Sequence, residues 1–176
     1  MRLARSARAL PLALSAILAV AACAASPASP QGSHTRHTST IGAVPAEVAT
    51  YADVPYVDDG TSAHRLDLWL PSTPRGAVGF PVVIYIHGGA WAFGDKAMSG
   101  RAGYGLLRDT LTRHGWAVAS VNYRFVAAAR FPAQSYDVKA ATRYLRANAA
   151  KLGLDATRFV AMGDSAGGHL AQLLGL

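Results

Sequence analysis

The chain has 176 residues, 51% of them hydrophobic and 15% charged, with 17 basic residues against 10 acidic and a formal charge of +7. So much apolar surface excludes an intrinsically disordered chain, and the length suits one domain of ordinary size. Without Arg2, Arg5 and Arg8 the balance is 14 basic to 10 acidic, or +4, scattered with no run or stripe; nucleic-acid binding needs such clustering and is not expected.

Residues 1–25 read as an export signal. Met1–Arg8 carries three arginines, Leu10–Ala22 is apolar apart from Pro11 and Ser15, and small residues follow. As a helix those thirteen residues rise about 20 Å, short of a hydrocarbon core of roughly 30 Å. The competing reading is a buried N-terminal helix, which rarely combines a basic start with an Ala-rich end. Cys23 is the only cysteine and cannot form an intramolecular disulfide. Val20-Ala21-Ala22-Cys23 resembles a bacterial lipobox, in which the cysteine is lipidated; plain cleavage after Ala22 or Ala25 is the alternative. Either way the expected location is outside the cell or on the outer face of its membrane, in the lipobox case through a lipid anchor.

Ser26–Thr40 is rich in Ser, Thr, Pro and His and has no apolar period. A polar tether is expected over residues 26–48, with the folded domain from 49 to 176. His34 and His37 sit in that tether without a third ligand and read as solvated, so no metal is expected there.

From Tyr51 onward short apolar runs alternate with longer amphipathic ones. Arg65–Leu70 alternates with period two, as a half-exposed strand does, and Pro71 ends it. Pro81–Ile86 is a β-branched run suited to a strand covered on both faces. Ala102–His114 predicts a helix closed by Gly115, and Trp116–Val121 another buried strand. Pro132–Leu152 predicts a helix, with Val138, Ala141, Leu145, Ala149 and Leu152 on one face and Gly153 stopping it. A short strand over Arg158–Met162 and a helix over Ala166–Leu174 follow. Strands separated by helices point to an α/β fold with a mainly parallel sheet.

Two segments carry chemistry. Gly163-Asp164-Ser165-Ala166-Gly167 fits Gly-x-Ser-x-Gly between a strand and a helix. A sharp strand-to-helix turn exposes the serine in a strained backbone, and side chains two residues to either side would collide. The competing reading is a glycine-rich turn with an idle serine. His87-Gly88-Gly89-Ala90-Trp91 directly follows the buried strand Pro81–Ile86. Amides at Gly88 and Gly89, joined by that of Ala166, would form an oxyanion hole; a bare turn would need only one glycine. His87 precedes the glycines and is read as a brace for their loop rather than a general base.

These segments, together with Asn122-Tyr123-Arg124 and Phe131-Pro132-Ala133 followed by Asp137, resemble the hormone-sensitive-lipase-like and bacterial feruloyl-esterase-like carboxylesterases, from about Asp53 to the last residue. The resemblance implies an α/β-hydrolase fold, with a mostly parallel sheet flanked by helices. It also implies Ser165 as nucleophile, Gly88, Gly89 and Ala166 as oxyanion donors, and structural roles for Asn122, Arg124 and Asp137. Ala90 stands where lipase-like members often have glycine, which leans toward the feruloyl-esterase-like branch.

A serine nucleophile needs a base, and the base an orienting carboxylate, following it in this fold. The eleven residues after Ser165 hold no Asp or Glu, and their one histidine, His169, lies a helical turn on. Asp164 is adjacent and points elsewhere. The expectation is therefore the N-terminal portion of a longer hydrolase, the fold cut after the elbow helix and inactive by itself. The whole protein is expected to cleave small or polysaccharide-linked esters through an acyl-Ser165 intermediate, without metal or cofactor. A serine peptidase on the same fold is the rival reaction. A non-catalytic binding module is the rival class, and it would have no need of a strained elbow.

Overall fold

In a computed structural model, which describes residues 50–73, 76–98 and 103–175, the apolar runs become five strands and four α-helices. The expected export signal, the tether with His34 and His37, and Cys23 lie outside the described residues. The strands are β1 (Tyr51–Pro55), β2 (Arg65–Trp69), β3 (Phe80–Ile86), β4 (Ala117–Val121) and β5 (Leu154–Gly163). The helices are α1 (Tyr104–Arg113), α2 (Ala133–Ala147), α3 (Ala149–Leu152) and α4 (Ala166–Gly175).

The sheet runs in the order β1-β2-β4-β3-β5. β4, β3 and β5 are parallel, while β2 runs antiparallel to both β4 and β1. The α/β-hydrolase fold is thus present, with a mixed sheet parallel where it matters for the site. Register is what matters most: Ile86 on β3 stands opposite Val121 on β4 and Gly163 on β5. Residues following the three parallel strands, His87, Asn122 and Asp164, therefore emerge together at the carboxyl ends of those strands.

All seven residues of β3 are buried, as its β-branched run requires. Alternation sends Val82, Ile84 and Ile86 into a core shared with Val138, Ala141 and Leu145 of α2 and Leu170 of α4. Tyr85 points the other way, into a cluster with Trp69, Val118 and Met98 beneath Leu107 and Leu111 of α1. Full burial of each large apolar side chain contributes about 1.5–3 kcal/mol.

Four details depart from the expectations. Arg65–Trp69 is not half-exposed: Asp67 and Trp69, on its supposed solvent face, are 7% and 3% exposed. Trp69 lies under the guanidinium of Arg108, and Asp67 is covered by Lys96. The expected single helix over Pro132–Leu152 breaks into α2 and α3 at Asn148, whose side chain folds back onto the carbonyl of Tyr144. β5 begins four residues earlier than Arg158, after the left-handed Gly153. β1, which carries little apolar signal, pairs along β2.

Candidate active site

The strand-to-helix turn between β5 and α4 holds Ser165 with φ of 49°, in the left-handed region that costs a non-glycine residue energy. The turn is fixed by the amide of Gly167 donating to Asp164 O at 2.8 Å and that of His169 donating to Ser165 O at 3.1 Å. Glycine is required at both flanks, for the reason expected. A Cβ on Gly163 would lie 2.5 Å from the carbonyl of Gly167, and one on Gly167 would strike the carbonyl of Ile86. Ser165 is left exposed to solvent.

The glycine loop after β3 closes as a tight turn, the amides of Ala92 and Phe93 both donating to Gly89 O. Ala90 and Trp91 have positive φ, 51° and 57°. Gly88, one of the expected donors, has its N–H engaged by Asp164 Oδ1 at 3.0 Å. The amides of Gly89, Ala90 and Ala166 make no hydrogen bond among the described residues. Ala90, not singled out in the sequence for want of a glycine, has its amide open in the same turn.

His87 is 5% exposed and braces the loop. Its Nδ1 lies 2.8 Å from Gly88 O, and its ring stacks on Tyr123 at 4.5 Å. Burial pushes its pKa below the ordinary value, which keeps the imidazole neutral. Neighbouring residues tie the edge together. Asn122 accepts from the amide of Lys96 at 2.7 Å. Arg124 donates to both oxygens of Asp137, and that bonding raises the pKa of its guanidinium. Lys96 Nζ lies 2.8 Å from Asp53 and 3.1 Å from Asp67. Burial lowers its pKa, but those two carboxylates outweigh the burial and the net shift is upward. The sequence offered no local sign of this last cluster.

Beside the elbow, a cleft of about 320 Å³ is lined by Trp91, Val126, Phe131, Gln134 and His169. The ring of His169 stands edge-on to Trp91 at 5.4 Å and faces Phe131 at 6.3 Å. Among the described residues no side chain hydrogen-bonds Ser165 Oγ. His169 is therefore part of a cleft wall, as its position a turn beyond the serine suggests.

This geometry has close counterparts. The family model BD-FAE matches residues 66–176. Esterase LipC of Mycobacterium tuberculosis (strain ATCC 25618 / H37Rv) is 39% identical over 125 residues, which cover 69% of this chain and 28% of LipC. A solved bifunctional GH43-CE protein of Bacteroides eggerthii is 41% identical, with TM-score 0.62, over 69% of this chain and 16% of its own. Esterase B of Lactobacillus rhamnosis is 30% identical, with TM-score 0.62, over 70% of this chain and 38% of its own. The chain thus spans less than a third of the length of the curated relative and less than half of either solved structure.

Proposed function

The chain belongs to the BD-FAE family, and on that premise we propose that it supplies the nucleophile and oxyanion hole of an exported carboxylic ester hydrolase. The carrying observation is Ser165, held in a strained, exposed turn, together with three amides that have no partner among the described residues, those of Gly89, Ala90 and Ala166. Ser165 Oγ attacks the ester carbonyl, its proton passing to a base. The carbonyl oxygen becomes an oxyanion held by the three amides, each typically worth about 3–4 kcal/mol in the transition state. The C–O bond to the alcohol then breaks, the alcohol leaves with a proton, and water releases the acid from the acyl-serine. Neither His87, buried under Tyr123, nor His169, turned to Trp91 and Phe131, is assigned as the base.

The cleft of Trp91, Val126 and Phe131 suits an apolar part of the ester, on a small molecule or a polysaccharide. Similarity to a solved carbohydrate esterase from gut microbiota, 38% identical, favours the second source. A strained elbow serves a nucleophile and is wasted in a binding module. Export rests on the basic start and apolar run of residues 1–25, and a lipid anchor on Val20–Cys23.

The test is covalent labelling. In the protein expressed from its complete coding region, a fluorophosphonate should modify Ser165, identified by peptide mass, and short p-nitrophenyl esters should be turned over. Ser165→Ala should lose both. Labelling that persists in Ser165→Ala refutes the assignment, and peptide-amide turnover without ester turnover selects the peptidase reading.

A further inference from the structure

We propose that Asp164 is a positioning residue, its carboxylate tying the oxyanion loop to the nucleophile elbow, and that residue 88 is glycine in order to receive that carboxylate. The proposal rests on the reading of Ser165 as nucleophile. The chain of contacts starts on the far face of the sheet, where Tyr85 is 3% exposed among Trp69, Met98 and Val118. Its hydroxyl crosses to Asp164 Oδ1 at 2.8 Å. The same oxygen accepts the amide of Gly88 at 3.0 Å, across 76 residues of sequence. A Cβ on residue 88 would lie 2.5 Å from Asp164 Oδ2 and 2.8 Å from Asp164 O. The carboxylate is therefore seated against a bare Cα, and any other side chain would push the elbow and the loop apart.

Position makes the contact consequential. Gly88 is followed at once by Gly89 and Ala90, whose amides have no partner among the described residues, and Asp164 is followed at once by Ser165 and Ala166. One carboxylate thus sets the spacing between the nucleophile and two of its three oxyanion donors. Tyr85 is a dependable donor: burial, then its bonds with Tyr104 and Asp164, push the phenol pKa far above its usual range. The first glycine of the pair is consequently a socket, and the donors begin one residue later.

The experiment compares Asp164→Ala, Asp164→Asn and Tyr85→Phe with the unaltered full-length protein, expressing kcat per fluorophosphonate-labelled serine. Misplacing catalytic groups by about 1 Å can cost about 100-fold. Asp164→Ala is expected to lose kcat on that scale, with KM changed by no more than about twofold. Asp164→Asn, which keeps an acceptor oxygen, should recover most of the loss, and Tyr85→Phe should fall between. Hydrogen exchange over residues 86–92, followed by mass spectrometry, should quicken in Asp164→Ala and in Tyr85→Phe. Unchanged kcat per labelled serine in Asp164→Ala, or Asp164→Asn as slow as Asp164→Ala, overturns the proposal. Should Asp164→Ala not fold, the Tyr85→Phe pair of measurements decides alone, and no change in either overturns it. If the unaltered protein is not labelled at Ser165, the hydrolase reading fails, while the exchange measurement still reports whether the tether exists.

Discussion

The imidazole of His87 lies on the ring of Tyr123, centroids 4.5 Å apart and planes 19° from parallel, and the Tyr123 hydroxyl returns to the carbonyl of His87 itself at 2.9 Å. The first residue of the glycine loop is thereby clamped from both its side chain and its backbone. Burial makes this a neutral clamp, since protonation would put a charge where solvent does not reach.

Stability should therefore fall with acid. The folded pKa of His87 lies below the ordinary value of 6.5. Between the two, the unfolded chain binds a proton that the folded one refuses, so the contribution is complete above about pH 6.5 and declines as pH drops through it. Urea midpoints measured from about pH 8 to 5 should show this slope. His87→Phe, which keeps a ring on Tyr123, should flatten it; an equal slope in the variant would place the effect elsewhere.

The Arg124–Asp137 pair is asymmetric, with side chains 36% and 4% exposed. Arg124→Ala strands a buried carboxylate that His64, 3.2 Å away, serves only in part. Asp137→Asn leaves an arginine that can turn to water. After allowance for solvent at the arginine, we expect losses of about 2 kcal/mol and about 1 kcal/mol respectively by chemical denaturation. The reverse order would contradict this account of burial.

Two glycines should answer alanine in opposite ways. A Cβ on Gly89 would meet the carbonyl of Phe93, so Gly89→Ala should cost about 100-fold in kcat by moving a donor, with far-UV circular dichroism retained. At Gly105, in the first turn of α1, the nearest atom to a new Cβ is 3.9 Å away. Gly105→Ala should instead stabilise by about 0.5 kcal/mol. Ala90→Gly relieves a φ of 51° and should be tolerated.

Export is open to direct measurement. In a bacterial host the mature protein should lack at least Met1–Ala22 by intact mass. Cys23→Ala should shift it from the membrane fraction to the medium. Unchanged partitioning would indicate ordinary cleavage, and an unprocessed Met1 in the cytosol would refute export.

What could be read directly from the sequence was whatever is local. The β-branched run Pro81–Ile86 came within one residue of β3, because burial on both faces selects such residues over a short stretch. The elbow was legible because its glycines answer a steric demand confined to five positions. β1 was not, since its five residues are held mainly by backbone pairing to β2 and four of them are exposed. Asp67 was misplaced because alternation assigns a carboxylate to solvent, whereas its partner Lys96 lies 29 residues on. The bond from Gly88 to Asp164 was not legible for the same reason: the two are 76 residues apart, and no periodicity reports such a meeting.

The place of β3 in the sheet carries a consequence in time. It lies between β4 and β5, both made after it on the ribosome, so the innermost parallel strand must wait for its neighbours. Pairing with β5 closes a long loop, a slow step compared with forming any of the helices. Until then the glycine segment has no Asp164 to rest on and Ser165 no turn to strain it, while an unpaired β-branched strand is open to aggregation. The geometry of the elbow and its facing loop is therefore a late product of folding, absent from a nascent chain still short of residue 164.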